Sequence, residues 1–495
     1  MKTLRKTARL ALLVTMLGCH FPPTQAQANI AYAVAPAPQA MAAPASLMLA
    51  VRYWSEAALR ANALDHTPPP AGSARAYHEQ YGPARSSRAL AIYHLALFEA
   101  LNAVMRSYPS YTGMAGAPSD SSPDAALATA ARDTLKALYP GQARAVEHTY
   151  ARDMLRVGPG RARDNGVETG RRAAAAVLAL HPPRGGPDDL IVGVSFFPSN
   201  APGKWRPDPV SRDPRALGAV WQGVTPFVLP ALDPFRPPPP PALTSAVYGA
   251  VFAEVRRLGG DGVRTPTLRT GAQTVSGIYW SYEGTPLIGA VPRLYNQIAL
   301  HIGARRNLSG MQMARMLALV NVAMADTALV VWKTKYAEQF WRPVTGIREA
   351  SPGTSPTGLG DGNPATGADP HWTPLGAQAS NTSEPDFTPP FPSYPSGHAS
   401  LGSALFQTLR RFYGTDAIAF SFVSDEFNGF TRDNDGRVRP RLVRGFSTLS
   451  QAEYDNGRSR VYLGVHWDTD RSAGHQVGRR VADYVFSRGL LQAAR

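Results

Sequence analysis

The sequence predicts an all-α protein: one large helical domain with long loops rich in proline and glycine. Apolar residues recur at helical spacing in many segments, and no segment keeps the apolar–polar alternation of a half-buried strand. Hydrophobic residues make up 44% of the 495 residues, which is enough for a substantial core. Proline and glycine crowd two long connecting segments, so irregular backbone is expected beside the helices.

The N-terminus is predicted to be a secretory signal, residues 1–28. Basic residues precede the apolar run 10–17, and Ala26, Gln27 and Ala28 form a small-residue cleavage site. Export to the periplasm or the medium is therefore expected, with no transmembrane segment in the mature chain.

After the signal, residues 29–45 are rich in alanine and proline and are predicted to be a flexible leader. Residues 46–495 then form the single helical domain. The one cysteine, Cys19, lies inside the signal, so no disulfide is expected after cleavage. Lipidation of Cys19 is an alternative to soluble export, although Met16 fits a lipoprotein signal poorly.

Helices are predicted on both sides of a long irregular segment, residues 181–241. Trp205 and Trp221 punctuate that segment and need burial, so it is expected to wrap over the helices and not to link independent domains. His94 falls on an apolar helical face, where a core histidine is more common than a ligand. The predicted helices of this half are 48–64, 84–106, 123–138, 141–156, 164–180, 243–258 and 272–282.

A nearly all-apolar helix is predicted from Ser309 to Trp332, and Ser309 and Gln312 have the spacing of a capping box. Arg315 and Asp326 lie inside it. Each would cost roughly 2.5–3.5 kcal/mol at the centre of a bilayer, which favours a buried central helix over a membrane span.

The C-terminal part has a long loop between helices. Residues 350–392 are predicted to be a functional loop that ends in an apolar lip. Further helices are predicted for 396–414 and 468–488. The formal net charge of +15 is scattered along the chain without a nucleic-acid motif, so no nucleic-acid partner is expected.

Three separated clusters carry the chemistry: residues 335–343, 394–398 and 459–470. They supply cations, a Ser-Gly pair that opens a helix, two histidines and a carboxylate. A tetrahedral oxyanion needs such a set, because cations neutralise it and backbone N–H groups fix its oxygens. The candidate residues are Lys335, Arg342, Ser396, Gly397, His398, Arg460, His466 and Asp470.

Each residue also has a purely structural interpretation. Ser396 alone would be an ordinary helix N-cap, but Gly397 lets an anion reach the backbone N–H groups. One arginine or lysine alone would be a surface charge. His466 and Asp470 are four residues apart, so on a helix the carboxylate would accept the imidazole N–H and fix its tautomer.

In this order, Lys-x6-Arg-Pro, Pro-Ser-Gly-His and Ser-Arg-x3-Gly-x-His-x3-Asp resemble the signature of one superfamily. It is shared by type 2 phosphatidic acid phosphatases, bacterial acid phosphatases and vanadium-dependent haloperoxidases, and its fold is a helix bundle. The flanking residues 332–335, 340–343, 389–392 and 464–467 resemble the chloroperoxidase-like haloperoxidases. The likeness covers at least residues 275–485.

The resemblance implies vanadate as cofactor, with His466 as its axial ligand, His398 as acid/base and Lys335 polarising bound peroxide. Hydrogen peroxide, halide and a small organic acceptor would be the substrates. Trp332 and Phe391 resemble residues that line the halide side, although both could simply pack the core.

One residue departs from the family pattern. Glu283 stands where related proteins carry an aspartate that pairs with the arginine of the third motif, here Arg460. The signature leaves three functions open: haloperoxidase; exported phosphatase, in which phosphate would occupy the same site and His466 would be the nucleophile; and non-catalytic oxyanion binding. The halide, the acceptor and the oligomeric state are not predicted.

Overall fold

The computed structural model describes residues 46–73, 75–183 and 189–488. The predicted signal, the leader and Cys19 lie outside them. Helices account for about 52% of the chain, which confirms the all-α prediction. They are α1 (Leu47–Asp65), α2 (Gly82–Met105), α3 (Pro123–Leu138), α4 (Ala143–Val157), α5 (Arg161–Leu180), α6 (Ala246–Leu258), α7 (Gly271–Tyr279), α8 (Val291–Arg305), α9 (Gly310–Glu338), α10 (Pro343–Arg348), α11 (Gly397–Tyr413), α12 (Leu449–Tyr462) and α13 (Asp468–Ser487).

The strands of the described residues form short antiparallel pairs: β1 (Leu190–Ile191) with β2 (Arg215–Ala216), β3 (Glu283–Thr285) with β4 (Gly289–Ala290), and β5 (Phe420–Asn428) with β6 (Arg441–Phe446). In the longest pair Phe420 faces Phe446 and Val423 faces Val443, and the register shifts beyond Val423. Strands are therefore minor, as the absence of alternation predicted.

Helix α9 is the centre of the bundle and contacts α1, α2, α8, α11 and α13. The predicted capping box begins it: Ser309 Oγ accepts the Gln312 N–H at 3.2 Å, and Gln312 Oε1 accepts the Ser309 N–H at 2.9 Å. Asp326 is fully buried on α9 and accepts the N–H groups of residues 227–229 at 2.7–3.0 Å. These bonds fasten the irregular segment to the central helix.

Two helices, α2 and α9, are long and apolar enough to cross a membrane by composition alone. In their most apolar windows 89% and 94% of the residues are buried inside the protein. Both therefore pack as core helices, as predicted for α9. Trp205 and Trp221 of the irregular segment are each 1% exposed, which confirms that their rings are buried. The division into a single domain over 46–495 stays a prediction.

Helices α8 and α12 and the β5–β6 hairpin have no counterpart among the predicted segments. The buried side chains of α12 and β5 mix polar and apolar residues. Helix α12 buries Glu453, Asn456 and Arg460 beside Leu449 and Val461, and β5 buries Ser424 and Glu426 beside Phe420 and Phe427. Apolar periodicity cannot reveal a buried face of this composition. Helix α8 does carry buried apolar residues at helical spacing.

The buried His94 generates a pH prediction. Its ring on α2 is 1% exposed, and burial lowers its pKa to about 3. Because the unfolded chain binds a proton near pH 6.5 and the folded chain does not, this histidine costs stability as the pH falls below 6.5. His94→Leu should therefore gain about 2 kcal/mol over wild type between pH 7 and pH 5.

Urea unfolding at the two pH values measures this difference. His371→Leu is the matched control, since the His371 side chain is exposed. An identical pH slope in wild type and His94→Leu would contradict the assignment of a buried neutral imidazole.

Candidate active site

Helices α9 to α13 deliver the three motifs to one place. The C-terminal turn of α9 carries Lys335, the start of α10 carries Arg342, and α11 begins at Gly397. The end of α12 carries Arg460, and His466 lies in the short connection before α13. His398, Arg460 and His466 line a common cavity, so the structure brings the side chains of the separated motifs together.

Lys335 is fully buried and its ammonium is held by three backbone carbonyls. Its Nζ donates to the oxygens of Pro392 at 2.8 Å, Ser393 at 2.9 Å and Pro395 at 2.6 Å. Burial and the charge of Arg342 lower the pKa of Lys335 well below its ordinary value, and the three acceptors favour the charged form. Lys335 therefore fixes the loop before α11 and supplies positive charge to the site.

Arg342 is 1% exposed and bridges the same loop to the third motif. Its Nε donates to Phe391 O at 3.0 Å, and its Nη1 donates to Val465 O at 2.8 Å. Nη1 also lies 2.9 Å from His466 Nε2. Burial lowers the pKa of Arg342 to about 9, so the guanidinium is still charged at neutral pH.

His466 has a fixed tautomer. Its Nδ1 donates to Asp470 Oδ2 at 2.9 Å, across the start of α13, so the lone pair of the neutral ring is on Nε2. Burial and the charge of Arg342 lower the pKa of His466 well below 6.5. In this tautomer Arg342 Nη1 donates to Nε2 at 2.9 Å. A neutral imidazole can serve as a metal ligand or a nucleophile, and a bond to Nε2 would replace this hydrogen bond.

Asp470 is itself held in place. It accepts the hydroxyl of Ser393 and, at 3.1 Å, the N–H of Trp467. Burial raises its pKa to about 6, although these donors and Lys335 act in the opposite direction. Ser393 is not among the predicted site residues. Its only signal was its place between Pro392 and Tyr394, beside the second motif.

His398 lies in the first turn of α11. Its Nε2 donates to the carbonyl of Ser281 at 2.6 Å, which leaves the lone pair of the neutral ring on Nδ1. Burial and Arg460 lower its pKa well below 6.5, so the ring is neutral at neutral pH. Ser281 was not predicted either, because a backbone carbonyl leaves no trace in the sequence.

Arg460 is fully buried on α12 and pairs with Glu283. The substituted glutamate therefore keeps the ion pair that the family resemblance implied for aspartate. Glu283 Oε1 also lies 3.7 Å from His398 Nε2. Nonetheless Nε, Nη1 and Nη2 of Arg460 form no hydrogen bond of good geometry within the described part of the chain. Buried donors in this state fit an oxyanion, whose oxygens could accept them.

Ser396 caps α11, with its Oγ accepting the Ala399 N–H at 3.4 Å. The N–H groups of Gly397 and His398 lie in the first turn, where no helical carbonyl precedes them. A Cβ on Gly397 would meet only the ring of Trp332, at 3.5 Å. The helix start therefore presents backbone donors and positive dipole to an anion.

Trp332 and Phe391 form an apolar side of the cavity, with ring centroids 5.2 Å apart. Trp332 Nε1 donates to Leu217 O at 3.1 Å. Lys335 Nζ lies 5.1 Å and Arg342 Cζ 4.9 Å from the Phe391 ring centroid. Both aromatics are thus buried residues and cavity-wall residues at once.

The donor set fits vanadate. Gly397, His398, Arg460 and His466 line one cavity, and the buried Lys335 and Arg342 contact its wall residues Phe391 and His466. Such a set suits a tetrahedral oxyanion bonded to nitrogen. Bound vanadate would supply Lewis acidity at that place. His466 Nε2 would hold it, and Lys335, Arg342 and Arg460 would balance its charge.

Part of the chain matches known proteins in sequence. Residues 315–492 match the family described as the VCPO second helical-bundle domain. Vanadium chloroperoxidase of Curvularia inaequalis is 38% identical over 276 residues, which are 48% of this chain and 43% of that protein. The chain thus matches less than half the length of this relative.

Solved structures share the fold at low identity. The first bacterial vanadium-dependent iodoperoxidase aligns with a TM-score of 0.68 and 20% identity, over 90% of this chain and 98% of that one. An apo-type bacterial vanadium-dependent chloroperoxidase aligns with a TM-score of 0.60 and 16% identity, over 83% and 95%. The fold is therefore that of the vanadium-dependent haloperoxidases. The resemblance to their chloroperoxidase-like branch is confirmed, and the family match covers residues 315–492.

Orthovanadate binding tests the two histidine roles. His466→Ala should lose at least the roughly 10- to 100-fold in affinity that removing a supporting residue costs, because the bonded nitrogen itself is gone. His398→Ala should bind within a few-fold of wild type. Isothermal titration calorimetry measures both, with His371→Ala as the exposed control. Equal losses in the two variants would refute the assignments.

The hydrogen bond from Ser393 to Asp470 leads to a second prediction about orthovanadate affinity. Ser393→Ala removes the hydroxyl donor, which frees Asp470 and loosens His466, so orthovanadate affinity should fall by about 10-fold. The exposed Ser472→Ala on α13 is the matched control. Unchanged affinity in Ser393→Ala would mean that the backbone donor of Trp467 is sufficient.

Proposed function

We propose that this protein is a vanadium-dependent haloperoxidase. It would use hydrogen peroxide to oxidise halide to hypohalous acid, which halogenates a small organic acceptor. One observation carries the proposal: two imidazoles and the buried Arg460 line one cavity, and the buried Lys335 and Arg342 contact its wall, in a fold shared with haloperoxidases. Simple anion binding needs neither histidine nor the buried Asp470, which argues against a non-catalytic protein.

The overall reaction consumes a proton. Halide and hydrogen peroxide give hypohalous acid and water: the O–O bond breaks, an O–halogen bond forms, the halide loses two electrons and the peroxide gains them. When bound, vanadate would activate peroxide as a Lewis acid without changing its own redox state.

The chain would move protons and balance charge. His398 Nδ1, with a lone pair in the neutral ring, would take a proton from entering peroxide and return it to the leaving oxygen. Lys335, Arg342 and Arg460 would neutralise the negative charge at oxygen throughout. Lys335 would act through its charge, because carbonyls already accept its three N–H bonds.

The apolar side would favour halide. Trp332 and Phe391 offer little hydration, while Lys335 and Arg342 lie within about 6 Å of the Phe391 ring. A large, weakly hydrated anion loses less hydration free energy than a small one when it enters such an apolar site.

The alternative is an exported phosphatase. Phosphate would occupy the same site, His466 Nε2 would attack phosphorus, and His398 would protonate the leaving alcohol. The fixed Nε2 lone pair of His466 favours this reaction as much as metal ligation. The long N-terminal half, which contributes walls to the cavity, favours the haloperoxidase.

Paired assays discriminate the two functions. With added orthovanadate and peroxide, the protein should brominate a phenol-type dye, and the vanadate-free protein should not. Hydrolysis of a phosphate ester by the vanadate-free protein should be negligible, and excess phosphate should inhibit bromination by competing for the site. Ester turnover without vanadate-dependent bromination would reverse the assignment to phosphatase.

We further propose export of the mature protein, on the N-terminal sequence alone: a basic start, an apolar run and a small-residue cleavage site within residues 1–28. N-terminal sequencing of the protein from the periplasm or medium would test it. Recovery of the uncleaved chain from the cytoplasm would contradict it.

A further inference from the structure

The active-site cavity is much larger than an oxyanion needs. It has a volume of about 390 Å³, within the roughly 300–1,000 Å³ range that holds small organic ligands. His398, Arg460 and His466 line one part of it. The N-terminal half contributes a second part that includes Tyr77, His78 and Tyr81. The second part has no task in binding vanadate, peroxide or halide.

Three rings lie against one another in this second part, with neighbouring ring planes tilted by 47° and 44°; we name Tyr77, His78 and Tyr81 the outer ring cluster. The His78 centroid lies 4.2 Å from that of Tyr77 and 4.2 Å from that of Tyr81. The Arg215 guanidinium covers the Tyr81 ring, with Cζ 4.9 Å from its centroid, and is itself paired with Asp213. Tyr77 is 40% exposed, so part of its side chain is accessible to a ligand at this end of the outer ring cluster.

The backbone of the cluster is held in an uncommon conformation. His78 has φ 63°, the left-handed region, which costs a non-glycine residue about 1 kcal/mol. Asp65 at the end of α1 enforces it: the Asp65 carbonyl accepts the His78 N–H at 2.8 Å, and its carboxylate accepts the N–H groups of Glu79 and Gln80 at 2.7 and 2.8 Å. Strain kept by dedicated bonds is typical of ligand-binding positions.

The outer ring cluster adjoins the anion site directly. Gly284 follows Glu283, the partner of Arg460, and has φ 81°. A Cβ on Gly284 would lie 3.6 Å from Tyr81 Cε2 and 3.4 Å from His66 Cδ2. Gly284, on the same strand as Glu283, therefore lies next to Tyr81 of the outer ring cluster. A molecule seated on the rings would face the place where hypohalous acid forms.

We propose that the outer ring cluster binds the organic acceptor and that this acceptor is a flat, electron-rich aromatic such as a phenol or naphthol. The proposal rests on the proposed function. Planar rings stack on planar rings, and an electron-rich ring is what an electrophilic halogen attacks. Bromine passes from hypobromous acid to a ring carbon, the C–H bond there breaks, and its proton joins the released hydroxide to give water.

The state of His78 suits a neutral aromatic. Burial, together with the charges of His66 and Arg215, lowers the pKa of His78 to about 4. The imidazole is therefore uncharged at neutral pH. It can accept the hydrogen bond of a phenolic hydroxyl from an aromatic ligand seated against Tyr77.

Binding and turnover of 2-naphthol test the proposal. Fluorescence titration of the vanadate-free protein should give one site, and Tyr77→Ala and His78→Asn should each raise its Kd by at least 10-fold. Asparagine tolerates the left-handed conformation of His78, so this variant removes the ring without new strain. In the vanadate-loaded enzyme, the ratio of kcat/KM for 2-naphthol to that for taurine, a non-aromatic acceptor, should fall by a similar factor.

Tyr454→Ala and His371→Asn, at exposed positions outside the cavity, should change neither readout. Equal Kd values for 2-naphthol in wild type and both cluster variants would overturn the proposal, as would an unchanged 2-naphthol to taurine ratio. If 2-naphthol binding is lost in the variants while no protein oxidises bromide, the aromatic subsite stands and the haloperoxidase function fails.

Discussion

The site depends on two buried cations that bind backbone carbonyls of one loop. Lys335 and Arg342 together hold the oxygens of residues 391, 392, 393 and 395, just before α11 begins. Irregular backbone inside a protein needs such partners, because unpaired carbonyls are costly there. The same bonds fix where the helix start, with Gly397 and His398, points. Cations that look dedicated to a ligand therefore first serve to build its binding place.

The balance of buried charges explains why the site should bind an anion. Lys335, Arg342 and Arg460 are buried, and the facing carboxylates are Glu283 and Asp470, both with pKa values raised by burial. Buried charges are tolerated only when they are paired and hydrogen-bonded. The Arg460 donors lack good hydrogen bonds among the described residues, so the excess of positive charge is concentrated where His398 and His466 open into the cavity. A multiply charged oxyanion would complete the pairing.

The sequence predicted the ionic side chains of the site better than the residues that hold those side chains in place. Spaced motifs named His466, Asp470 and Arg460, because charged side chains of defined chemistry leave a readable pattern. They could not name Ser281, whose backbone carbonyl orients His398, since any residue provides a carbonyl. Helix α12 was not predicted for a related reason: it buries Glu453, Asn456 and Arg460 among its apolar residues, which removes the apolar periodicity. Apolar periodicity finds elements that pack on the core, and elements that build a polar pocket lack that signal.

The anion site and the proposed acceptor subsite are built by different parts of the chain, which the motifs alone did not reveal. The groups that would hold the anion come from α9 to α13, whereas the outer ring cluster follows α1 and is fixed by Asp65. The anion site also depends on Ser281, which holds His398, and on Glu283, which pairs with Arg460. Gly284, the next residue after Glu283, lies beside Tyr81 of the outer ring cluster. A change in the loop after α1 therefore acts first on the proposed acceptor subsite, and it reaches the anion site through the strand that carries Glu283.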